Sequence, residues 1–241
     1  MTSAPEWLIA RVVDTRATTA HGRVLHLQVE GWPGNLAGQH VDVRLTAEDG
    51  YQAVRSYSLA SAGDSEIVEL AVDEVPDGEV SPYLVQDVRS GDELEVRGPI
   101  GTYFVWTPDQ REAVQLIAGG SGIVPLLAMA RTHASAASHA PMRMLYSVRS
   151  PGDAFYSDEL DAIDDSAFSL DWAYTRTAPD GVARRAGRVD AATISASTIA
   201  ASENPSVYVC GPTGFVEAVA DLLVAAGHSP DRIRTERFGG A

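Results

Sequence analysis

The 241-residue chain has room for one large domain or two small ones, and its 45% hydrophobic residues can fill a core of either kind. A formal net charge of −15 disfavours nucleic acid and anionic membrane as partners, since both want positive surface. The lone cysteine, Cys210, excludes an internal disulfide and an iron–sulfur cluster held by this chain; six scattered histidines show no ligand spacing, so no metal is expected.

Residues 8 to 105 alternate apolar and polar with a period of two, most plainly at Val24–Val29, His40–Leu45, Ile67–Val72 and Glu93–Arg97. Trp32-Pro33-Gly34, Glu48-Asp49-Gly50 and Ser90-Gly91-Asp92 supply turns between them. About six short strands punctuated in this way predict a small antiparallel all-β barrel. One helix interrupts them, with Ser81 as its cap and Pro82 at its first position. After Pro108 the pattern changes, which predicts domains at 1–108 and 109–241. Strands at Val114–Ala118, Arg143–Val148, Phe168–Thr175, Val207–Val209 and Ile233–Glu236 alternate with helical stretches, the signature of an α/β parallel sheet with covered faces. A helix opens near Val124-Pro125, Ala134–Ala140 reads as a short loop, and Ala191–Ala201 reads as a helix. Thr213–Ala226 carries one apolar stripe of Phe215, Val216, Val219, Leu222, Leu223 and Ala226. No apolar run reaches membrane-spanning length, and the N-terminal MTSAPEW lacks the regions of a signal peptide, so a cytoplasmic protein without a membrane partner is expected.

Three stretches carry chemistry. The apolar strand Val114–Ala118 runs into Gly119-Gly120-Ser121-Gly122 and then a helix. Glycines admit a close ligand, and a helix N-terminus offers unpaired N–H groups, so this is a seat for a pyrophosphate. Arg55-Ser56-Tyr57-Ser58-Leu59 lies on a barrel strand. Alternation puts Arg55 and Tyr57 on one face, where an arginine suits a phosphate and a tyrosine ring a flat heterocycle; alone, it is also an ordinary half-buried strand. Gly78-Glu79-Val80-Ser81 opens the barrel-domain helix and is either a second phosphate seat or a plain capped helix.

RSYSL, GEVSPYL, GDELEVRGPIGTYF, LIAGGSGIVPLLAMAR, YVCGPTGF and ERFGG occur in one order along nearly the whole chain, and together they resemble the ferredoxin–NADP reductase family, specifically its bacterial two-domain flavin oxidoreductases. The resemblance implies a barrel that binds FAD and an α/β domain that binds a nicotinamide dinucleotide. It implies Arg55 on the FAD phosphate, Tyr57 against the isoalloxazine and Ser58 near N5, with Ser56, Leu59 and Val72 in the same flavin set. Gly78, Val80 and Ser81 become the second flavin phosphate site, which favours FAD over FMN. Gly119, Gly120, Ser121, Gly122 and Pro125 become the nicotinamide pyrophosphate loop. Cys210-Gly211-Pro212 lies beside the nicotinamide, Glu236 and Phe238 close over the flavin, and Ser58, Cys210 and Glu236 surround the hydride path. Phe238 is followed by Gly239-Gly240-Ala241 rather than ending the chain, a departure from plant-type members.

Thr175-Arg176 follows the third strand of the second domain, and Arg149, Arg184, Arg185 and Arg188 lie on neighbouring loops. Several arginines in so acidic a chain favour the 2′-phosphate of NADPH, with NADH as the other candidate. The function implied is electron transfer from NADPH through FAD to a separate acceptor, a ferredoxin or an oxygenase component. Two alternatives are a reductase of free flavin or small acceptors, and a non-catalytic flavin-binding module.

Overall fold

Alternating side chains can bury one face only, so the first hundred residues pair into a sheet that curls on itself. The computed structural model describes residues 6–163, 166–182 and 184–239. Its strands are β1 (Trp7–Thr19), β2 (Gly22–Val29), β3 (His40–Thr46), β4 (Gln52–Ser58), β5 (Ile67–Asp73) and β6 (Glu93–Ile100), in spatial order β4-β3-β6-β1-β2-β5 with antiparallel pairing. Beyond β4, Leu59 bridges to Leu70 and the Ala60 N–H donates to the Glu69 carbonyl at 2.8 Å, which joins the two edges and closes the barrel. Its core is the inward set of the alternation, with Val12, Leu25, Leu27, Val43, Leu70 and Val96 fully buried. Each such side chain contributes about 1.5–3 kcal/mol of transfer free energy. The expected helix is a five-residue π-helical turn, Tyr83–Asp87. Ser81 does not cap it: its hydroxyl accepts from the Val75 N–H at 3.0 Å, tying the preceding loop instead.

The second pattern gives a five-stranded parallel sheet of β7 (Val114–Gly119), β8 (Met142–Val148), β9 (Phe168–Tyr174), β10 (Ser206–Pro212) and β11 (Ile233–Phe238), ordered β11-β10-β7-β8-β9. Helices α1 (Ile123–Ser135), α2 (Ser157–Asp161), α3 (Ala191–Ser197) and α4 (Thr213–Ala225) accompany it. The step from β7 to β8 moves one way across the sheet and the step from β10 to β11 the other. Right-handed crossovers therefore put α1 and α4 on opposite faces. On the α4 face, Ile117, Val207 and Val209 pack with Ile194, Val216 and Val219. Ala226, expected on the α4 stripe, lies past the last turn and is exposed.

Two compact units result, Met1–Val105 and Trp106–Ala241. The break falls before the expected Pro108 because Trp106, fully buried, sets its ring 5.8 Å from that of His133 on α1. α1 runs into the stretch read as a loop, and α3 stops at Ser197 because Thr198 is extended, at φ −121° and ψ 157°. Asp190 caps α3, its carboxylate accepting from the Thr193 N–H at 2.8 Å. Among the described residues no helix is long and apolar enough to cross a membrane.

Candidate functional site

In an open parallel sheet the crevice lies where strand order reverses, outside the carboxyl ends of the strands. Here that point is between β7 and β10. β7 ends at Gly119 and runs into Gly120-Ser121-Gly122, a single 3₁₀ turn that feeds α1, and the end of β10 supplies Cys210-Gly211-Pro212. The glycines are required for two different reasons. A Cβ on Gly122 would stand 2.1 Å from the Cys210 carbonyl oxygen, so only glycine lets the two strand ends touch. Gly120 has φ +55° and a Cβ there would meet nothing within 4 Å, so it is the left-handed backbone conformation, not lack of space, that calls for glycine. Pro125, buried in the first turn of α1, lacks an N–H where none could be paired within the helix.

Phe215, in the first turn of α4, packs against this floor: a Cβ on Gly119 would lie 2.6 Å from its ring and one on Gly211 2.9 Å. Sequence reasoning gave Phe215 to the apolar stripe alone, although its place four residues after Gly211 in YVCGPTGF is the signal for this contact. Cys210 and Glu236, expected together, are register partners on β10 and β11. Cys210 is fully buried, and burial pushes its thiol well above the ordinary range, with the Glu236 charge adding to the shift. Phe238, the register partner of Pro212, is half-buried; Gly240 and Ala241 lie outside the described residues.

The arginines separate into two kinds. The Arg176 and Thr177 N–H groups donate to the Arg149 carbonyl at 2.9 and 3.1 Å, and Thr175 N–H donates to Val148 at 2.8 Å, so the ends of β8 and β9 hold Arg149, Thr175 and Arg176 side by side. Arg149 and Arg176 are exposed, and neither has a side-chain partner among the described residues. Arg184 is different. Its guanidinium donates to the Thr193 hydroxyl at 3.1 Å and to the Gly187 and Arg188 carbonyls at 3.3 and 2.9 Å, locking the loop onto α3. It is a structural arginine. Arg185 and Arg188 remain exposed on that loop.

In the first unit, β4 carries Arg55, Ser56, Tyr57 and Ser58. Arg55 reaches the Gly78–Ser81 loop, where it pairs with Glu79. The Tyr51 hydroxyl donates to the same carboxylate at 2.7 Å. Gly78 fits its turn because a Cβ would lie 2.9 Å from the Val75 carbonyl and 3.1 Å from Ser81 Oγ. Tyr57 is partly buried against the barrel core, and burial raises its hydroxyl pKa above the ordinary range. Ser58 is nearly buried and pairs in register with His40, which the sequence reading passed over; burial lowers the His40 pKa, against an opposing pull from Asp42. Four expected ligand residues are otherwise employed. Ser56 donates to Asp42 at 2.7 Å, and Asp42 also takes Arg97 at 2.6 Å. Leu59 and Val72 are 0% exposed and Val80 1%, so they build the core and present no surface to a ligand.

Comparison with known proteins agrees with this division. A model of the oxidoreductase FAD-binding domain matches residues 12–105, and one of the oxidoreductase NAD-binding domain matches residues 116–221. The ferredoxin–NAD(P)(+) reductase CarAd of Metapseudomonas resinovorans is 30% identical over 236 residues, covering 95% of this chain and 68% of that protein. The electron transfer component of toluate 1,2-dioxygenase from Pseudomonas putida is 26% identical over 206 residues, 86% of this chain and 59% of its own. Among solved structures, the FAD/NAD-binding domain of a Vibrio cholerae nitric oxide dioxygenase superposes with a TM-score of 0.85 at 25% identity, over 97% of this chain and 99% of that one. The chain spans 59%, 38% and 56% of the length of three curated relatives that it matches. With FAD-binding and NAD-binding domains in that order, and this identity to a relative it covers by more than two thirds, the chain belongs to the ferredoxin–NAD(P)+ reductase family.

Proposed function

We propose that this protein takes electrons from NADPH, through bound FAD, to a separate protein acceptor, a ferredoxin or an oxygenase component. The observation that carries the reading is the reversal of strand order between β7 and β10, with a glycine turn on one side and Cys210-Gly211-Pro212 on the other. Two features support the fit of the implied groups. Arg55 already holds an anion, the Glu79 carboxylate, and the open side of Gly120 would be filled by any side chain. When bound, FAD supplies the link between a two-electron donor and one-electron acceptors, which no side chain here can provide.

The chain's own residues bind and align. Arg55, with Gly78 and Ser81, holds the flavin diphosphate; Tyr57 covers the ring; the Ser58 hydroxyl donates to N5. Gly119 to Gly122 leave backbone N–H groups and the N-terminus of α1 for the nucleotide pyrophosphate. Arg149 and Arg176, with the Thr175 hydroxyl, take the 2′-phosphate; Arg185 and Arg188 are further from the strand ends in sequence and assist. Cys210 and Glu236 shape the nicotinamide side of the path. None of these side chains is a nucleophile, because hydride transfer needs alignment rather than a covalent enzyme intermediate.

Reconstitution tests this directly. The purified chain is expected to be yellow, to release FAD on heating, and to lose its colour within the first seconds after anaerobic addition of NADPH. Turnover with ferredoxin should exceed turnover with free FMN. A protein that takes up FAD but is not bleached by NADPH or NADH would refute the reading in favour of a non-catalytic module.

A further inference from the structure

Glu79 is a side chain that the roles above leave unused, and it sits where they need a positive charge. Arg55 turns its guanidinium to Glu79, while its other terminal nitrogen donates to the Val54 carbonyl at 2.7 Å. The Tyr51 hydroxyl, from the hairpin between β3 and β4, holds the second carboxylate oxygen. The Tyr51 hydrogen bond first, then the Arg55 charge, keep the Glu79 carboxyl below the usual carboxylate range, so it is an anion at neutral pH. The Arg55 and Glu79 side chains are 52% and 45% exposed. An ion pair so exposed contributes little to stability, and it opens readily.

We infer that Glu79 is an internal counter-anion on the flavin diphosphate site: it occupies Arg55 in the flavin-free protein, gives way when FAD binds, and thereby sets how firmly FAD is retained. The inference rests on the assignment of Arg55 to the FAD diphosphate. Its physical content is a competition. One guanidinium cannot give its best geometry to a carboxylate and a phosphate together, and the displaced carboxylate remains near two further negative charges. The effect should therefore scale with ligand phosphate charge and vanish for a flavin with none.

The test is a titration of the flavin-stripped full chain with FAD and with riboflavin, followed by quenching of flavin fluorescence. Glu79→Gln keeps a hydrogen-bond partner for Tyr51 while removing the charge. It should tighten FAD about tenfold, equivalent to about 1.4 kcal/mol, and leave riboflavin affinity within about twofold. Glu79→Ala should shift FAD in the same direction. Arg55→Ala should weaken FAD at least tenfold and riboflavin hardly at all. If Arg55→Ala weakens FAD but both Glu79 variants leave it unchanged or weaker, Glu79 positions Arg55 and the counter-anion inference is wrong. Equal tightening of FAD and riboflavin would also overturn it, since it would report a general opening of the loop. If Arg55→Ala leaves FAD affinity intact, the assignment of Arg55 itself fails.

Discussion

The two units prepare for a ligand in opposite ways. In the second, the proposed ligand place is mostly backbone, glycines that admit close approach and a helix terminus, flanked by two exposed arginines whose side chains have no partner among the described residues. In the first, nearly every polar side chain expected to bind is already engaged, Arg55 with Glu79, Ser56 with Asp42 and Ser81 with the Val75 N–H. A site built on backbone has no internal contact to exchange before a ligand enters. A site built on engaged side chains binds by substitution, so its affinity is a difference between two sets of contacts.

The largest test of the contrast is steric. Gly122→Ala would force a Cβ against the Cys210 carbonyl oxygen and carbon and the Gly211 nitrogen, at 2.1, 2.4 and 2.7 Å, all backbone and none able to swing away. We expect a loss of about 3 kcal/mol or more, read as a fall of roughly 10 °C in the melting temperature. Gly120→Ala, in open space at positive φ, should cost only about 1–2 kcal/mol of backbone strain, and should act chiefly on NADPH affinity. Equal melting temperatures for the two variants would erase the distinction between the glycines. Next come the aligning residues. Ser58→Ala and Cys210→Ala should each slow stopped-flow flavin reduction at saturating NADPH, by up to about a hundredfold if alignment shifts by about 1 Å. Rates within about twofold of wild type for both variants, a negligible change in barrier, would remove these residues from the hydride path.

The arginines sharpen the picture further. Arg176→Ala and Arg149→Ala should each raise KM for NADPH about tenfold or more, the worth of a charge-assisted contact, with little change for NADH. Arg184→Ala should instead lower the melting temperature and affect the two nucleotides alike, because its bonds go to Thr193 and two carbonyls. If Arg184→Ala discriminates between the nucleotides and Arg176→Ala does not, the division into structural and ligand arginines is reversed. The smallest effect is a pH dependence. Burial lowers the pKa of both His40 and His228. A histidine held neutral in the folded state takes up its proton more readily when unfolded. The stabilisation it gives is present above about pH 6.5 and declines as pH falls through the lowered folded values. The urea midpoint should therefore drop between pH 7 and pH 5, and His40→Gln should flatten part of that slope.

What could be read in advance follows a physical line. Period-two alternation located the barrel strands, and the glycine run located the nucleotide turn, because both are local patterns set by backbone geometry. The pairing of Cys210 with Glu236 was reached only through resemblance, since strand register is not local. Three polar assignments meet a partner inside the chain that local pattern does not announce. Ser81, Ser56 and Arg184 have side chains of the right chemistry, but their partners are Val75, Asp42 and Thr193. Whether a hydroxyl or guanidinium is available to a ligand depends on what else it can reach in the folded chain. Leu59, Val72 and Val80 are enclosed by the barrel, and a motif position does not say whether its side chain turns into the core.

Cys210 makes the second unit report on its own motions. It is the only thiol in the protein, wholly enclosed, and it holds its proton well into the alkaline range. Reagents attack the thiolate, so the folded centre of the sheet is inert to them. Every labelling event must then pass through a moment in which β10 is uncovered. With no second thiol to compete, the speed at which a chromogenic disulfide colours the solution becomes a clock for that opening. A nucleotide that grips the ends of β7 and β10 would slow the clock without touching sulfur.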